Sequence, residues 1–198
     1  MKIFTRLNLL ILGLLLLVVA CGPQTHEFGG LSFEDPQVAP DFTLSGVNNQ
    51  SVSLSDFRGK YVFIYFGYTF CPDLCPDTLA KLARVHKALG DKGEQMQVIM
   101  ISVDPARDTP DKLAEYVGHF DASFVGLTGS DEELDATGAA YGLYYDRHDG
   151  TPATGYLIDH TARTYLLDPD GRIIVAYPHE APDDAIEADM RWLLKQNG

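Results

Sequence analysis

The hydrophobic positions of this chain change rhythm along its length, and each rhythm predicts a different element. Leu9 to Ala20 is an almost unbroken apolar run of 12 residues. That is short of the roughly 20 needed to cross a hydrocarbon core. Gly22 to Val38 has no apolar period and carries Pro23, Pro36 and several glycines, the composition of a tether. Apolar and polar residues then alternate in Phe42 to Leu44 and Ser51 to Leu54, around Gly46-Val47-Asn48-Asn49, which predicts a hairpin. Lys60 to Phe66 and Met96 to Val103 are near-continuous aromatic and β-branched runs, expected for strands buried on both faces.

Helical spacing appears between those runs. Leu79, Leu82, Ala83, His86 and Leu89 share one face, with Pro76 suited to the first residue of the helix and Gly90 to the stop. Thr109-Pro110 predicts the start of a second helix reaching about Phe120, after which Phe124 to Leu127 is a short strand. Ser130 and Glu133 have the spacing of a capping box for a third helix. Thr164 to Leu167 and Ile173 to Tyr177 flank Asp168-Pro169-Asp170-Gly171, a second hairpin, and Asp183 to Gln196 closes the chain as a helix. Strands alternating with helices, finished by a hairpin and a helix, predict an α/β fold. Its central sheet is mixed and flanked by helices, with a hairpin at the N-terminal side.

The first segment changes the picture of where the chain resides. Lys2 and Arg6 precede the apolar run and no acid does, the layout of a secretory signal peptide. Ala20-Cys21 at its end resembles the lipobox of bacterial lipoproteins, which implies acylation of the Cys21 thiol. The expected organisation is a lipoprotein signal peptide over 1–20, a flexible tether over 21–38 and one folded domain over 39–198. The mature 178 residues carry 13 basic and 28 acidic side chains, or −15. Such a surface repels nucleic acid.

With Cys21 assigned to lipid, Cys71 and Cys75 remain. A bridge between residues four apart closes too small a loop to add much stability, so a structural staple explains them poorly. They stand in Cys71-Pro72-Asp73-Leu74-Cys75-Pro76, where a buried strand ends and a helix begins. Unpaired amides and the positive end of the dipole favour thiolates there. Residues i and i+4 point to one side of a helix, so two sulfurs can share a soft metal centre, whether Cu(I), zinc or an iron–sulfur cluster. The same spacing permits a disulfide and redox work. Two sulfurs do not complete a structural zinc site, so a further ligand must come from elsewhere.

Six histidines compete for that place. His26 lies in the tether, His86 and His119 on helices, His148 in an Asp/Gly-rich loop and His179 after the last hairpin. His160 follows Tyr156-Leu157-Ile158-Asp159 and precedes the penultimate strand. In a thioredoxin plan that loop faces the cysteine turn, and redox enzymes place a cis-proline in it. Here no proline occurs from Ala153 to Leu167. A histidine in the region favours coordination over thiol exchange.

These residues resemble the SCO/SenC family of copper proteins. The likeness runs from Ala39-Pro40-Asp41-Phe42 through Phe66-Gly67-Tyr68-Thr69-Phe70 and the cysteine turn. It continues in Ser102-Val103-Asp104-Pro105-Ala106-Arg107-Asp108-Thr109-Pro110, Asp159-His160-Thr161-Ala162 and Tyr165-Leu166-Leu167-Asp168-Pro169-Asp170-Gly171. It implies a thioredoxin-like domain at the outer, extracytoplasmic face of a bacterial membrane. Copper, as Cu(I) or Cu(II), is expected on Cys71, Cys75 and His160. The expected partner is the CuA site of cytochrome c oxidase subunit II, with another extracytoplasmic protein as copper donor. The chain is then a copper carrier rather than an enzyme. The alternative is a thiol–disulfide oxidoreductase that uses Cys71 and Cys75 to reduce the cysteines of the oxidase. Asp73 and Asp159 are expected to orient the ligands, Asp73 equally to place its charge at the helix N-terminus, and Asp104, Arg107 and Asp108 to fix a loop.

Overall fold

The computed structural model describes residues 26–151 and 155–196. The expected signal peptide and the expected acylation site, Cys21, lie outside them. Among the described residues, ten strands and four α-helices follow the predicted order with two additions. Strands β1 (Leu31–Ser32), β2 (Thr43–Ser45), β3 (Ser51–Ser53) and β4 (Tyr61–Gly67) lead into helix α1 (Leu74–Leu89). Then come β5 (Met96–Ser102), α2 (Pro110–Gly118), β6 (Val125–Leu127) and α3 (Asp131–Ala140). The chain ends with β7 (Tyr145–Asp149), β8 (Tyr156–His160), β9 (Arg163–Leu167), β10 (Ile173–Pro178) and α4 (Asp183–Gln196).

The main sheet has the order β1-β10-β9-β4-β5-β6. β4, β5 and β6 run parallel, while β9, β10 and β1 are antiparallel to their neighbours. This is the thioredoxin-like plan: a βαβ unit with cysteines in its first turn, joined to a late antiparallel pair. Every residue of β4 and β5 is buried. The near-continuous apolar runs demanded that, since central strands are covered on both faces. α1 and α4 pack together, and α2 packs on β6. Two helix starts are as the sequence predicts: Thr109 Oγ1 accepts the Lys112 amide, and Ser130 and Glu133 form a reciprocal capping box.

Two expectations differ from the fold. A flexible tether was expected as far as Val38, yet residues 26–38 are docked. Leu31 pairs with Ala176 and Ser32 with Val175, and Val38 forms a bridge with Arg172. Asp189, almost fully buried, accepts from the Gly29 amide at 2.9 Å and pairs with His26 Nε2 at 2.6 Å. The glycines that suggested a linker serve close approach instead. A Cβ on Gly29 would stand 2.8 Å from Ala185 Cβ, and one on Gly30 2.8 Å from both Tyr177 and Val175 side chains. The second difference is the β7–β8 hairpin, which places His148 on a strand rather than in a loop. β7 is mostly exposed and polar, so no apolar alternation marks it. No described helix is long and apolar enough to cross a membrane.

Candidate metal centre

Three separate elements converge at the C-terminal end of β4. Cys71 sits in the turn after that strand, Cys75 in the first turn of α1, and His160 at the last position of β8. α1 starts at Leu74, so Pro76 is its third residue rather than its first. Asp73 makes no side-chain cap. The Cys75 amide instead donates to Cys71 Sγ at 3.4 Å. A sulfur thus satisfies one of the orphan donors that every helix N-terminus presents.

β4 creates the room for this turn. Tyr65 and Gly67 alternate onto the same face, towards α1. Tyr65 OH donates to Cys75 Sγ at 3.4 Å. A Cβ at position 67 would lie 2.9 Å from that sulfur and 2.7 Å from the Tyr65 ring. Only glycine leaves Cys75 its place, and Cys75 is completely buried.

His160 Nε2 faces Cys75 Sγ across 3.7 Å. Its ring meets Tyr65 and Tyr68 edge-on, at 6.0 and 6.1 Å between centroids. Nδ1 lies 3.2 Å from the Thr161 carbonyl oxygen. A carbonyl only accepts, so Nδ1–H donates to it, and Nε2 is the ring nitrogen turned towards the sulfurs. A shallow cavity of about 320 Å³ opens over Cys71, Asp73, Ile158 and His160.

The two thiols are driven apart in acidity. The Cys75 thiol donates towards Cys71 and holds that thiolate down to about 4, against the cost of its partial burial. His160 and the amides of Asp73 and Cys75 assist. Cys75 is pushed up, by the neighbouring Cys71 sulfur first and by burial second. The pair therefore favours one thiolate, on Cys71, and one proton, on Cys75.

A carboxylate network ties the turn to the histidine-bearing strand. Asp108, fully buried, accepts from Thr69 N at 3.0 Å, Thr69 Oγ1 at 2.5 Å and Ser102 Oγ at 2.8 Å. Asp104, equally buried, pairs with Arg107 and accepts from Tyr156 OH at 2.5 Å. Arg107 donates to the Tyr156 carbonyl at 3.0 Å and stacks over that ring at 3.5 Å. The Ile158 amide donates to Tyr68 OH at 3.1 Å. β8 is thus held at Tyr156 and Ile158, and His160 follows two residues later. Asp104, Arg107 and Asp108 fix the loop as the sequence suggests.

Asp159 does not orient His160. It is turned to His148 Nε2 at 3.1 Å, because alternate residues of a strand face opposite ways. His26, His86 and His179 pair with Asp189, Asp121 and Thr78, and His119 with a backbone carbonyl. None of them approaches the cysteines. Sequence reasoning missed Tyr65, Tyr68 and Tyr156. Their signal was present: tyrosine inside a buried strand or beside one needs a polar partner for its hydroxyl.

The donor chemistry fits a soft cation, and the site is open. A thiolate sulfur and an imidazole nitrogen at bonds of about 2.3 and 2.0 Å around a trigonal centre stand about 3.7 Å apart. Cys75 and His160 already have that spacing. Cys71 Sγ lies beside them, accepting the Cys75 amide at 3.4 Å. Among the described residues no three His, Cys, Asp or Glu side chains are already gathered into a finished cluster.

Comparison with known proteins gives a consistent picture. A family model described as SCO1/SenC matches residues 32–195. Protein sco1 of Schizosaccharomyces pombe is 37% identical over 145 residues, covering 72% of this chain and 55% of that protein. The chain spans about half the length of such curated relatives. The solution structure of apo Sco1 from Thermus thermophilus shares 37% identity at a TM-score of 0.77, covering 87% of this chain and 99% of the other. Arabidopsis thaliana ScoI, solved with copper bound, shares 33% at 0.74, with 81% and 99% covered.

Proposed function

The chain belongs to the SCO1/SenC family, and from that premise we propose that it carries one copper ion on Cys71, Cys75 and His160 and delivers it to the CuA site of cytochrome c oxidase subunit II. The observation that supports this most is the facing pair Cys75 Sγ and His160 Nε2 at 3.7 Å, with the Cys71 thiolate beside it. Two sulfurs and one imidazole suit Cu(I) and Cu(II) alike. They leave a coordination position open for a receiving thiol.

The chain's own residues do the following. Cys71 meets the cation as a ready thiolate. Cys75 gives up its proton as the ion binds, so loading releases about one proton. His160 offers Nε2, its ring held in orientation by the Nδ1 contact with the Thr161 carbonyl. Tyr65 keeps a hydroxyl donor on Cys75 Sγ.

Cys21 is acylated in this reading, after removal of residues 1–20, and residues 39–198 form the copper-binding domain on the extracytoplasmic side of a bacterial membrane. The periplasm or the outer face of the cytoplasmic membrane meets that description, and another extracytoplasmic protein supplies the copper.

The acidity split of the cysteines favours a second reading. The Cys71 thiolate attacks a partner disulfide, one partner thiolate leaves, and the Cys75 thiol, losing its proton, displaces the second. The partner then holds two thiols and this chain a Cys71–Cys75 disulfide. Mixing the copper-loaded protein with the apo, reduced CuA fragment separates the two. Gain of the CuA absorption by the fragment supports the carrier. Failure of transfer, with stoichiometric reduction of an oxidised fragment by the metal-free protein, supports the reductase.

A further inference from the structure

Six large hydrophobic side chains are exposed among the described residues, and three of them lie together in one short segment: Leu31 (62%), Phe33 (41%) and Val38 (60%). That segment forms the outer edge of the sheet. Its backbone is fixed throughout, by the β1–β10 pairs, by Phe33 N donating to the Ile174 carbonyl at 3.1 Å, and by Ala39 N donating to the Gly171 carbonyl at 2.8 Å. The apolar groups are therefore held outward and have no means of folding back onto the core. Leu31 and Phe33, two residues apart on extended chain, project from one face.

The start of the segment is pinned as well. His26 stacks on Trp192 at 4.8 Å and pairs with the buried Asp189 at 2.6 Å. From Cys21 to His26 there are five peptide steps, a reach of at most about 17 Å. An acyl chain on Cys21 thus confines this edge to the immediate neighbourhood of the lipid.

We propose that the edge bearing Leu31, Phe33 and Val38 rests against the phospholipid surface that holds Cys21. This rests on the acylation of Cys21. Arg163 is exposed, without an ion pair among the described residues, and shares with Leu31 a shallow cavity of about 340 Å³. A guanidinium beside apolar side chains matches a headgroup phosphate above acyl chains. Glu34 and Asp35 are exposed between Phe33 and Val38. They fit the edge to a zwitterionic layer rather than a strongly anionic one. A second copy is a poor occupant, because a two-residue edge strand offers little ladder to extend.

The test uses the full acylated protein in vesicles of phosphatidylcholine and phosphatidylethanolamine whose acyl chains carry bromine quenchers. Phe33→Trp is compared with Val47→Trp, each keeping Trp192 as a shared background. Val47 is also exposed, at 44%, and lies near the opposite edge, where Ser45 bridges Thr128 beside β6. The expected result is loss of most of the added emission in Phe33→Trp and none in Val47→Trp. Equal quenching at both positions, in protein that floats with the vesicles and carries the acyl mass, overturns the docking and leaves the anchor standing. Protein that neither floats nor carries the acyl mass overturns the anchor and the docking together. No quenching at Phe33→Trp, with a two-chain mass in detergent, assigns the edge to a second copy and also overturns the proposal.

Discussion

The acidity of Cys71 is open to a direct kinetic test on the reduced, metal-free protein. The perturbation is pH and the assay is alkylation by iodoacetamide, with site occupancy read by mass spectrometry. A thiol held at about 4 rather than the ordinary 9 is almost wholly thiolate by pH 6. The ordinary thiol is then only about one part in a thousand ionised. Against that gain, lowering a thiol by five pKa units costs its thiolate about 100- to 300-fold in intrinsic nucleophilicity. Relative to a free cysteine, Cys71 is therefore about 3- to 10-fold faster at pH 6 and roughly 100-fold slower at pH 9, before any loss from its partial burial. Burial scales the whole curve, so its shape is decisive. The rate is expected to stay flat from about pH 5.5 to 9 and to fall only towards 4. Cys75, buried and protonated, stays unlabelled across that range. A rate at Cys71 that climbs tenfold per pH unit between 6 and 8 refutes the account of the cysteine turn.

Three substitutions probe how the site is held. Gly67→Ala places a methyl 2.9 Å from Cys75 Sγ on a strand locked between two neighbours. Overpacking of this kind costs about 1–3 kcal/mol, which lowers the melting temperature by roughly 3–10 °C for a domain of this size. An unchanged melt contradicts the packing argument. Asp108→Ala strips the acceptor from Thr69 N, Thr69 Oγ1 and Ser102 Oγ. Orphaning buried donors costs about 1–3 kcal/mol each, so denaturant unfolding should show a loss of roughly 3–5 kcal/mol. A loss under 1 kcal/mol (about the level of a surface change) counts against the network. Tyr156→Phe removes the hydroxyl donated to Asp104 and should speed amide exchange at Ile158, whose N–H is held by Tyr68 OH. Unaltered exchange there means the network does not restrain β8.

The legible parts of this fold are those where one physical rule dominates. β4 and β5 stood out because a strand covered on both faces has no choice but apolar residues. α2 and α3 did so because Thr109, Ser130 and Glu133 carry out local capping that needs no tertiary partner. Cys71 and Cys75 were legible from their place at a strand-to-helix turn. The rest depends on contacts distant in sequence. Gly29 and Gly30 look like linker residues until Ala185 and Tyr177 come to lie against them. β7 is a polar ribbon strand paired in register with β8. The turning of Asp159 to His148 follows from that pairing, and so was hidden with it. His160 itself was singled out by an absent proline and a position, while its tautomer came only with the Thr161 carbonyl.

The most direct measurement is an anaerobic titration of the reduced protein with Cu(II), following absorbance, for wild type and His160→Ala side by side. An intense thiolate-to-copper band that saturates at about one equivalent in wild type and is lost in the variant is the result expected from two sulfurs and one imidazole. Oxidation of both proteins to a Cys71–Cys75 disulfide with no such band contradicts the carrier.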